Sequence, residues 1–360
     1  MKKVLFIVQL PPPIHGASVM NQTVLKLIGN DSRFVCRYIS LNFIRKLSDL
    51  ETITLRKVFR AITIEFELIF KLITFNPKVV YFSMVPHGIV LVRDGLYLAT
   101  IKLLSPKSKK IIHLHRSGLE AFTKKRHVSW VIRLLLRKCE IVHLTPKLLK
   151  NEIVPLNIPK TKLHVVPNFL DDPAICSSSG KKANTKLLFL SNLLTQKGYL
   201  NLVEAMAIVI KDFPNIKLTI AGETPREKNI FELKKRISNL ALENYIDVVG
   251  KIEGIHKNQL YAESDILILP SEMEYFPLVI LEAMAAKTVV VSTGRENLNE
   301  TFTHLYNIVF LENNSPSEIA WWLIALLNNK PLQNFIANNG YSRFLEIQEE
   351  GKQKIKELFA

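Results

Sequence analysis

Short apolar runs alternate with longer stretches of helical periodicity along this chain, and the alternation occurs in two series. The first series comprises the runs VLFIV (4–8), VVYFS (79–83), KIIHLH (110–115), IVHL (141–144) and LHVV (163–166). The second comprises KLLFL (186–190), IKLTIA (216–221), IDVVG (246–250), DILILP (265–270) and TVVVS (288–292). Nearly continuous apolar runs are typical of strands covered on both faces of a parallel sheet. The pattern therefore predicts an α/β protein with two doubly wound domains.

A polar segment without periodicity separates the two series. Residues 171–185, DDPAICSSSGKKANT, combine Ser, Asp, Lys, Gly and Pro, as linkers commonly do. We therefore expect an N-terminal domain at 1–172, a linker at 173–185 and a C-terminal domain at 186–340. A length of 360 residues is sufficient for two domains, each with its own core.

The net charge of +16 is distributed unevenly between these halves. Residues 1–170 contain 28 Lys and Arg against 9 Asp and Glu, whereas residues 171–360 contain 20 against 23. The whole surplus therefore belongs to the N-terminal half. It indicates an anionic partner, which the charge alone leaves open among nucleic acid, a phosphorylated ligand and an acidic membrane surface.

Composition excludes several classes of protein. A chain that is 48% hydrophobic and 22% charged is neither disordered nor of low complexity. Cys36, Cys139 and Cys176 lie too far apart for a disulfide framework or a zinc ribbon, and they fit a reducing compartment. The first apolar run stops at three prolines without a cleavage site, so we expect a buried strand there instead of a signal peptide. The longest uncharged stretch, 4–25, contains those prolines, so we expect no membrane span.

The segment 270–293, PSEMEYFPLVILEAMAAKTVVVST, contains two carboxylates eight residues apart. Glu274 lies in a loop after a predicted strand, Pro277 lies where a helix would begin, and Glu282 lies about one turn into that helix. Free N–H groups at a helix start bind phosphate, and carboxylates accept hydrogen bonds from sugar hydroxyls. Taken alone, the same residues are equally well explained as a solvated loop carboxylate and an ordinary helix-face residue.

The spacing Glu274-x7-Glu282 resembles the donor-site signature of the family 4 glycosyltransferases, which have the GT-B fold. The resemblance extends over nearly the whole chain through Pro167-Asn168, Lys197-Gly198, Ala221-Gly222, DILILPS (265–271) and a terminal helix near 349–359. It implies two Rossmann-like domains that face each other across a cleft. It also implies a C-terminal helix, 341–360, that packs back toward the N-terminal domain.

The resemblance also implies a role for each matching residue. In this family, the carboxylate matching Glu282 holds the ribose, the one matching Glu274 holds donor-sugar hydroxyls, and the lysine matching Lys197 neutralises the leaving diphosphate. A loop that simply enters a helix is the plainer explanation of Lys197-Gly198. The donor site implied in this way further includes Tyr275, Phe276, Pro277, Leu278, Gly16, Asn192 and Gly222.

Several positions depart from the family pattern. Asn192 replaces an arginine that usually precedes the lysine, so Lys197, helix dipoles or another cation such as Lys251 must offset the diphosphate. Tyr275 and Lys287 replace glycines, and Phe169 replaces the glycine of a Pro-Asn-Gly turn. These changes affect the expected pose of the donor but not the expected fold.

In the N-terminal half, Gly16 lies between the first predicted strand and a helix that opens near Ala17. A glycine there lets the backbone approach a ligand, although a plain turn is the commoner explanation. The family usually has a Gly-Gly pair in this loop, of which one glycine is kept. We place His15 on the acceptor side.

Two histidines, His113 and His115, are expected to project from the same face of one strand. A metal site is the alternative, but no Asp, Glu or Cys at ligand spacing completes it, so we expect no metal. The resemblance implies that His115 faces the donor sugar, and His113 is expected in the core. Arg116 and Ser117, at the strand end, are candidates for contact with donor or acceptor.

Two basic stretches, 43–75 and 122–138, combine apolar and cationic positions with aromatic residues. Such faces are usually core-packed helices with solvated charges. A basic amphipathic helix with aromatic residues can also lie on an anionic bilayer. We therefore expect a cytoplasmic protein that associates peripherally with the inner face of the cell membrane.

Together these features lead us to expect a glycosyltransferase without a cofactor, and the resemblance implies that it is retaining and metal-independent. It would move a sugar from a UDP- or GDP-sugar to a saccharide or a polyprenyl-diphosphate-linked saccharide, in surface polysaccharide or glycan assembly. A non-catalytic GT-B partner subunit remains an alternative because of Asn192 and Tyr275. A basic nucleic-acid-binding protein is a further alternative, although the cations are dispersed and no nucleic-acid-binding motif is present.

Overall fold

A computed structural model of the chain describes residues 1–43, 54–124, 126–171, 185–224 and 226–360, with the side chain of Arg295 excepted. The chain divides into two compact units. The first unit is Met1–Asp171 with Glu349–Ala360, and the second is Asp172–Gln348. The expected linker, 173–185, lies outside the described residues except for Thr185. The last helix changes units at residue 349, eight residues later than the domain boundary expected at 341.

In the first unit, the described residues form a six-stranded parallel sheet of order β2-β1-β3-β4-β5-β6. The strands are β1 (Lys2–Val8), β2 (Phe34–Ser40), β3 (Val79–Met84), β4 (Lys109–Leu114), β5 (Glu140–His143) and β6 (Leu163–Val165). The first strand pairs with β2 on one side and with β3 on the other. The chain therefore reverses direction across the sheet between β1 and β3, where such sheets open a crevice at the carboxyl ends of the strands.

Helices cover both faces of this sheet. They are α1 (Gly16–Gly29), α2 (Leu55–Phe75), α3 (Gly88–Leu104), α4 (Glu120–Thr123), α5 (Arg126–Leu136) and α6 (Pro146–Glu152). Successive strand residues point to opposite faces. On one face Leu5 and Ile7 pack in a cluster with residues of α2, α3 and α5. On the other, Val4 and Phe6 pack with α1 and with the end of the chain.

In the second unit, the described residues form another six-stranded parallel sheet, of order β12-β11-β10-β7-β8-β9. Its strands are β7 (Lys186–Leu190), β8 (Lys217–Ala221), β9 (Ile246–Gly250), β10 (Ile266–Leu269), β11 (Val289–Ser292) and β12 (Val309–Phe310). Its helices are α7 (Tyr199–Val209), α8 (Glu227–Asn239), α9 (Gly254–Glu263), α10 (Leu278–Ala285), α11 (Arg295–Leu298), α12 (Pro316–Leu327) and α13 (Lys330–Phe359), which ends in the first unit. The strand order reverses between β7 and β10, and a crevice is expected at their carboxyl ends.

All ten apolar runs identified in the sequence are strands, and their ends differ by no more than two residues, so the prediction of two doubly wound α/β domains is confirmed. Two strands, β2 and β12, were not predicted from the sequence. The first of these is the edge strand FVCRYIS, in which Arg37 and Tyr38 are exposed, so it lacks a continuous apolar run. The second contains only Val309 and Phe310, which is too short to register as a pattern.

The C-terminal segment packs in the core of the first unit. Phe359 is fully buried and stacks on Phe6 and Tyr81, with ring centroids 5.6 Å and 5.8 Å away. The Lys2 ammonium donates to the carbonyl of Phe359 at 3.0 Å. The terminal helix is longer than expected, since it begins at Lys330.

Replacing Phe359 with Ala removes this buried ring, and the free energy of unfolding of the first unit should fall by about 3–5 kcal/mol. Urea unfolding, with native-state hydrogen exchange to distinguish the units, measures the loss. Phe335→Ala, at a half-exposed position on the same helix, is the control and should change stability by no more than about 0.5 kcal/mol. Equal losses in the two variants would contradict the packing described.

Candidate functional site

Two loops meet where the strand order of the second sheet reverses. Lys197 ends a short 3-10 turn, Thr195–Lys197, after β7, and Glu274 lies in the loop after β10. The amide of Glu272 donates to the carbonyl of Gln196 at 2.9 Å, which joins the loops directly. Gly198 has a φ of +75°, and a Cβ there would overlap the carbonyl oxygen of Pro270. The two loops therefore pack backbone to backbone.

The carboxylate of Glu274 is buried and held by two donors. The Lys197 ammonium lies 2.9 Å from Glu274 Oε1, and the Ser271 hydroxyl donates to the same oxygen at 2.5 Å. None of the described side chains donates to Oε2. A further donor, Asn297, binds the backbone carbonyl of Glu274 at 2.8 Å. The residue is thus fixed in place and keeps one carboxylate oxygen that can accept a ligand hydroxyl.

Glu282 lies one helical turn into α10 and is also buried, with 8% of its surface exposed. The Tyr261 hydroxyl donates to Oε2 at 2.7 Å, and the Lys257 ammonium donates to Oε1 at 2.6 Å. Burial and the neighbouring carboxylate raise the pKa of Tyr261 well above its usual range, so this phenol stays a donor. Each carboxylate oxygen has a second lone pair, and Glu282 can therefore accept from a diol.

The start of α10 lies between these two carboxylates in sequence. Pro277 is the N-cap residue, and no side chain among the described residues caps the helix. Phe276 and Leu278 are buried, and Tyr275 is half-buried. The first-turn N–H groups and the positive end of the helix dipole can therefore bind an anion that reaches them.

The other predicted donor-site residues occupy neighbouring strand ends. Gly222 follows β8, and a Cβ there would overlap the carbonyl oxygen of Ser191 after β7. Asn192 follows Ser191 and is half-buried. Lys251 follows β9 and pairs with Glu253 at 2.7 Å.

One departure from the family pattern lies at a residue with a positive φ. Lys287, where the family has glycine, has a φ of +55°, in the left-handed region that glycine adopts most readily. Its ammonium lies 5.1 Å from the centroid of the Tyr341 ring. The backbone conformation that the family's glycine favours is thus present with a lysine in its place.

The close approach of the two loops can be tested at Gly198. Gly198→Ala should lower the free energy of unfolding of the second unit by about 2 kcal/mol or more, because the new methyl group meets backbone at a left-handed position. Gly250→Ala is a matched control with a φ of +73° and no heavy atom within 4 Å of the added Cβ. It should cost about 1–2 kcal/mol from its φ alone. Equal losses in urea unfolding would contradict the close contact.

In the first unit, the carboxyl end of the sheet holds a separate polar group around His115. The Asn21 side-chain amide donates to the Gln9 carbonyl and the Ser83 hydroxyl, each at 3.0 Å. This fixes Asn21 Oδ1 as the acceptor for His115 Nε2 at 3.0 Å. The proton of neutral His115 is therefore on Nε2, and Nδ1 is a buried acceptor without a partner among the described residues.

Two further histidines lie in the adjoining core. His113 is buried, its ring centroid is 4.0 Å from that of His115, and its Nδ1 forms a 2.5 Å hydrogen bond with the Tyr81 hydroxyl. His143 accepts from the Leu144 amide at 2.9 Å through Nδ1. Burial lowers the pKa of His113 and of His143, and it lowers that of His115 to about 3. All three are therefore neutral at pH 7.

The loop after β4 is held by one buried carboxylate. Glu152 accepts from the Ser117 hydroxyl and from the Gly118 amide, the latter at 2.7 Å. The predicted acceptor-side residue Ser117 thus has its hydroxyl proton engaged inside the protein. Arg116 is exposed.

The other predicted residues of this unit lie at the start of α1. His15 is the N-cap, and its Nδ1 accepts from the Ser18 amide at 3.2 Å. Gly16 is the first residue of the helix, one position earlier than expected, and a Cβ there would meet no atom within 4 Å. Space is therefore open beside this glycine.

The buried histidines predict an acid-sensitive first unit. Their folded pKa values lie below the unfolded value of about 6.5, so their contribution is complete above that pH and is lost as the pH falls from there toward the folded pKa values. The free energy of unfolding should fall between pH 7 and 5 by up to about 1.4 kcal/mol per pH unit for each histidine. Urea unfolding followed by Trp130 fluorescence, with Trp321 and Trp322 replaced by Phe, measures this slope.

His115→Gln is the control for this slope, since it keeps a donor for Asn21 and removes one titrating group. Its slope should be shallower than that of the parent chain. A first unit whose stability is constant or rises as the pH falls to 5 would contradict the buried neutral histidines.

Sequence reasoning missed the residues that support the predicted ones. Tyr261 and Lys257 on α9 hold Glu282, Asn21 on α1 holds His115, and Glu152 at the end of α6 holds the Ser117 loop. Each is a single polar residue on an ordinary helix, far in sequence from its partner. Within the described part of the chain, no three His, Cys, Asp or Glu residues are grouped so that they could hold a metal ion.

The chain matches known proteins in sequence. Residues 173–343 match the family model described as glycosyl transferases group 1. The chain is 29% identical over 215 residues to an uncharacterized glycosyltransferase of Methanocaldococcus jannaschii, a match that covers 56% of this chain and 54% of that protein. It is 26% identical over 257 residues to N-acetyl-alpha-D-glucosaminyl L-malate synthase of Bacillus anthracis, covering 69% and 64%. These matches span less than two thirds of the length of either relative.

The fold is similar to that of solved glycosyltransferase structures. Anabaena Alr3699/HepE in complex with UDP matches over 100% of both chains, with a TM-score of 0.75 and 17% identity. The same protein in complex with UDP-glucose matches with a TM-score of 0.74 and 18% identity, over 100% of this chain and 99% of the other. The expected GT-B fold with Rossmann-like domains is thereby confirmed.

Proposed function

We propose that this chain, whose residues 173–343 match the family model of glycosyl transferases group 1, transfers a sugar from a nucleoside-diphosphate sugar to an acceptor hydroxyl. The observation that carries the proposal is the pair of buried, oriented carboxylates, Glu274 and Glu282, at the two ends of the segment that starts α10. Its relatives bear glycosyltransferase names, and the similar protein HepE was solved with UDP and with UDP-glucose. The donor base remains uridine or guanosine.

In this proposal, each part of the donor has a matching group in the second unit. The ribose hydroxyls donate to Glu282, whose two oxygens are held in place by Tyr261 and Lys257. The diphosphate lies at the start of α10, with the N–H groups of Tyr275, Phe276 and Leu278 and the helix dipole directed at it. The sugar hydroxyls donate to the free oxygen of Glu274. Asn192 and Gly222 line the rest of the donor site in this unit.

Lys197 supplies a positive charge that offsets the negative charge of the leaving diphosphate. It pairs with Glu274, and we expect it to turn toward the diphosphate when the donor binds. The bond between the anomeric carbon and the phosphate oxygen breaks as the acceptor oxygen bonds to that carbon on the same face. The acceptor proton passes to a phosphate oxygen, and anomeric configuration is retained. An ammonium beside the phosphate oxygens of the leaving group stabilises the negative charge that develops on them, and it does so most strongly in the transition state.

Glu274 acts in binding instead of as a nucleophile. Its Oε1 is engaged by both Lys197 and Ser271, and retention by same-face attack requires no covalent carboxylate. We likewise propose that no metal and no cofactor take part. His115, whose Nδ1 is an unprotonated acceptor, is the residue of the first unit proposed to face the donor sugar.

The first unit is proposed to bind the acceptor, a saccharide or a polyprenyl-diphosphate-linked saccharide, in surface polysaccharide or glycan assembly. Its surplus of cations exceeds what a single donor diphosphate requires. Arg116 and His15 are the acceptor-side residues, and peripheral attachment to the inner face of the cell membrane would bring the chain to a lipid-linked acceptor. The missing arginine at Asn192 favours one other candidate, a non-catalytic partner subunit, which donor turnover by the purified chain would exclude.

Two substitutions separate donor binding from transfer. Glu282→Ala should weaken binding of the nucleoside-diphosphate sugar by about 10-fold to 100-fold, because charged hydrogen bonds are lost. Lys197→Ala should lower kcat by about 100-fold or more with a smaller effect on donor affinity. Calorimetric titration and donor hydrolysis, screened with uridine and guanosine diphosphate sugars, measure the two effects.

The chain contains a matched control pair. Lys186 and Glu263 form a 2.6 Å ion pair at the amino end of β7, the opposite end of the strand that leads to Lys197. Lys186→Ala and Glu263→Ala should leave donor affinity and turnover unchanged. If the site variants behave like these controls, the residue roles are wrong. If no nucleoside-diphosphate sugar binds or turns over with the unmodified chain, the proposed function itself is wrong.

A further inference from the structure

The outer surface of the first unit carries an unusual number of exposed apolar side chains on three neighbouring helices. These helices, α2, α3 and α5, cover the same face of the sheet through one hydrophobic cluster. The Tyr97 hydroxyl of α3 donates to the Ala61 carbonyl of α2 at 2.9 Å, and the Lys102 ammonium of α3 donates to the Leu134 carbonyl of α5 at 2.7 Å. The three helices therefore form one layer, whose outer side we call the outer helical face.

On α2, apolar residues occupy both sides of the helix. Ile64, Leu68 and Leu72 face the sheet and are buried. The opposite side carries an exposed row at helical spacing: Leu55, Phe59, Ile62, Phe66, Phe70 and Ile73. Phe59 and Phe66 each expose 69% of their surface. A helix that only packs on a core would carry polar residues there, so this row indicates a second apolar environment.

The hydroxyls that share this side of α2 are already satisfied by the helix itself. Thr63 donates to the Phe59 carbonyl at 2.9 Å, and Thr74 donates to the Phe70 carbonyl at 2.7 Å. Removing these residues from water therefore leaves no hydroxyl proton unpaired. The row on α2 is chemically suited to an apolar medium.

Exposed apolar side chains are also present on the neighbouring helices. On α3, Ile89, Val92 and Leu96 are exposed on the side opposite the buried Leu91 and Leu98. On α5, Trp130, Val131 and Leu134 are exposed, with Trp130 at 63%. The exposed apolar surface thus extends across the layer, beyond the single exposed apolar residues that are normal on protein surfaces.

Charge distinguishes the partners that could cover this face. The three helices contain eight Lys and Arg but three Asp and Glu. The acids are engaged: Glu65 with the Thr100 hydroxyl, Glu67 with Lys71, and Asp94 with Arg93. In contrast, the exposed cations Arg56, Arg126 and Arg133 form no ion pair with the described residues. The face therefore presents uncompensated positive charge around apolar side chains.

We propose that the outer helical face lies on the surface of a bilayer that contains anionic phospholipids. The aromatic side chains Phe59, Phe66, Phe70 and Trp130 enter the interface between headgroups and acyl chains, while the arginines contact lipid phosphates. A second copy of the chain fits less well, because a two-fold contact would bring this positively charged face against itself. Among the described residues, no helix combines the length and the apolar character that crossing a bilayer requires.

The outer helical face and the insertion of its aromatic side chains would account for the peripheral attachment proposed above. This membrane binding does not depend on sugar transfer. Vesicle flotation of the full chain, with neither donor nor acceptor present, tests it. The chain should float with vesicles of phosphatidylcholine mixed with phosphatidylglycerol. It should float much less with phosphatidylcholine alone, and high salt should reduce flotation with the anionic vesicles.

The triple variant Phe59→Ser, Phe66→Ser, Phe70→Ser should reduce partitioning into the anionic vesicles by about tenfold or more. Its matched control is Phe231→Ser, Trp321→Ser, Phe335→Ser, three aromatic residues that are at least half exposed in the second unit. The control should partition like the unmodified chain. Circular dichroism and urea midpoints verify that both variants are folded.

The contribution of the cationic side chains is tested by the same measurement of vesicle partitioning. Arg126→Gln with Arg133→Gln should lower partitioning into anionic vesicles by about fivefold for each charge removed. Lys234→Gln with Lys235→Gln, exposed on α8 of the second unit, is the control and should have no effect. Test and control variants that partition equally would overturn the proposal. So would equal binding of the unmodified chain to neutral and anionic vesicles, or a chain that binds no vesicle and forms a dimer disrupted by the phenylalanine substitutions.

Discussion

Parallel pairing of β7 with β10 is the constraint on which the candidate donor site depends. The register places Leu187 beside Ile266, so the loops that follow these strands leave the sheet side by side although they are 77 residues apart in sequence. The hydrogen bond from Glu272 to Gln196 and the glycine at 198 then hold the loops in backbone contact. Lys197 can reach Glu274 only because this strand pairing and these backbone contacts hold the two loops together. The chemistry of the site is thus set by strand order before any side chain is considered.

The two units use buried polar groups in different ways. In the second unit, the buried carboxylates Glu274 and Glu282 each accept hydrogen bonds from one lysine and one hydroxyl. In the first unit, the histidines near the carboxyl ends of the strands are held neutral by burial, and Asn21 fixes the tautomer of His115. Charged acceptors suit a hydroxyl-rich nucleotide sugar, whereas a neutral imidazole with a free acceptor nitrogen suits a single hydroxyl.

Much of this arrangement could be predicted from the sequence because the strands are continuous apolar runs and the carboxylates lie in one short segment. Strand β2 could not be predicted, because an edge strand with exposed Arg37 and Tyr38 lacks that pattern. The residues that support the site could not be predicted from the sequence either. Tyr261 and Glu152 contact partners 21 and about 35 positions away, and no periodicity or motif marks such tertiary contacts. The exposed row on α2 was visible as an apolar and basic stretch, but only the fold shows which side faces away from the core.

Hydrogen–deuterium exchange of the full chain, with and without a saturating nucleoside-diphosphate sugar, tests the central claim most directly, because it locates the donor without any substitution. The account predicts slower exchange in peptides covering 191–199 and 270–283, where the loops after β7 and β10 and the start of α10 lie. Protection at the amino ends of the same strands, or no protection in the second unit at a donor concentration that saturates binding, would contradict it.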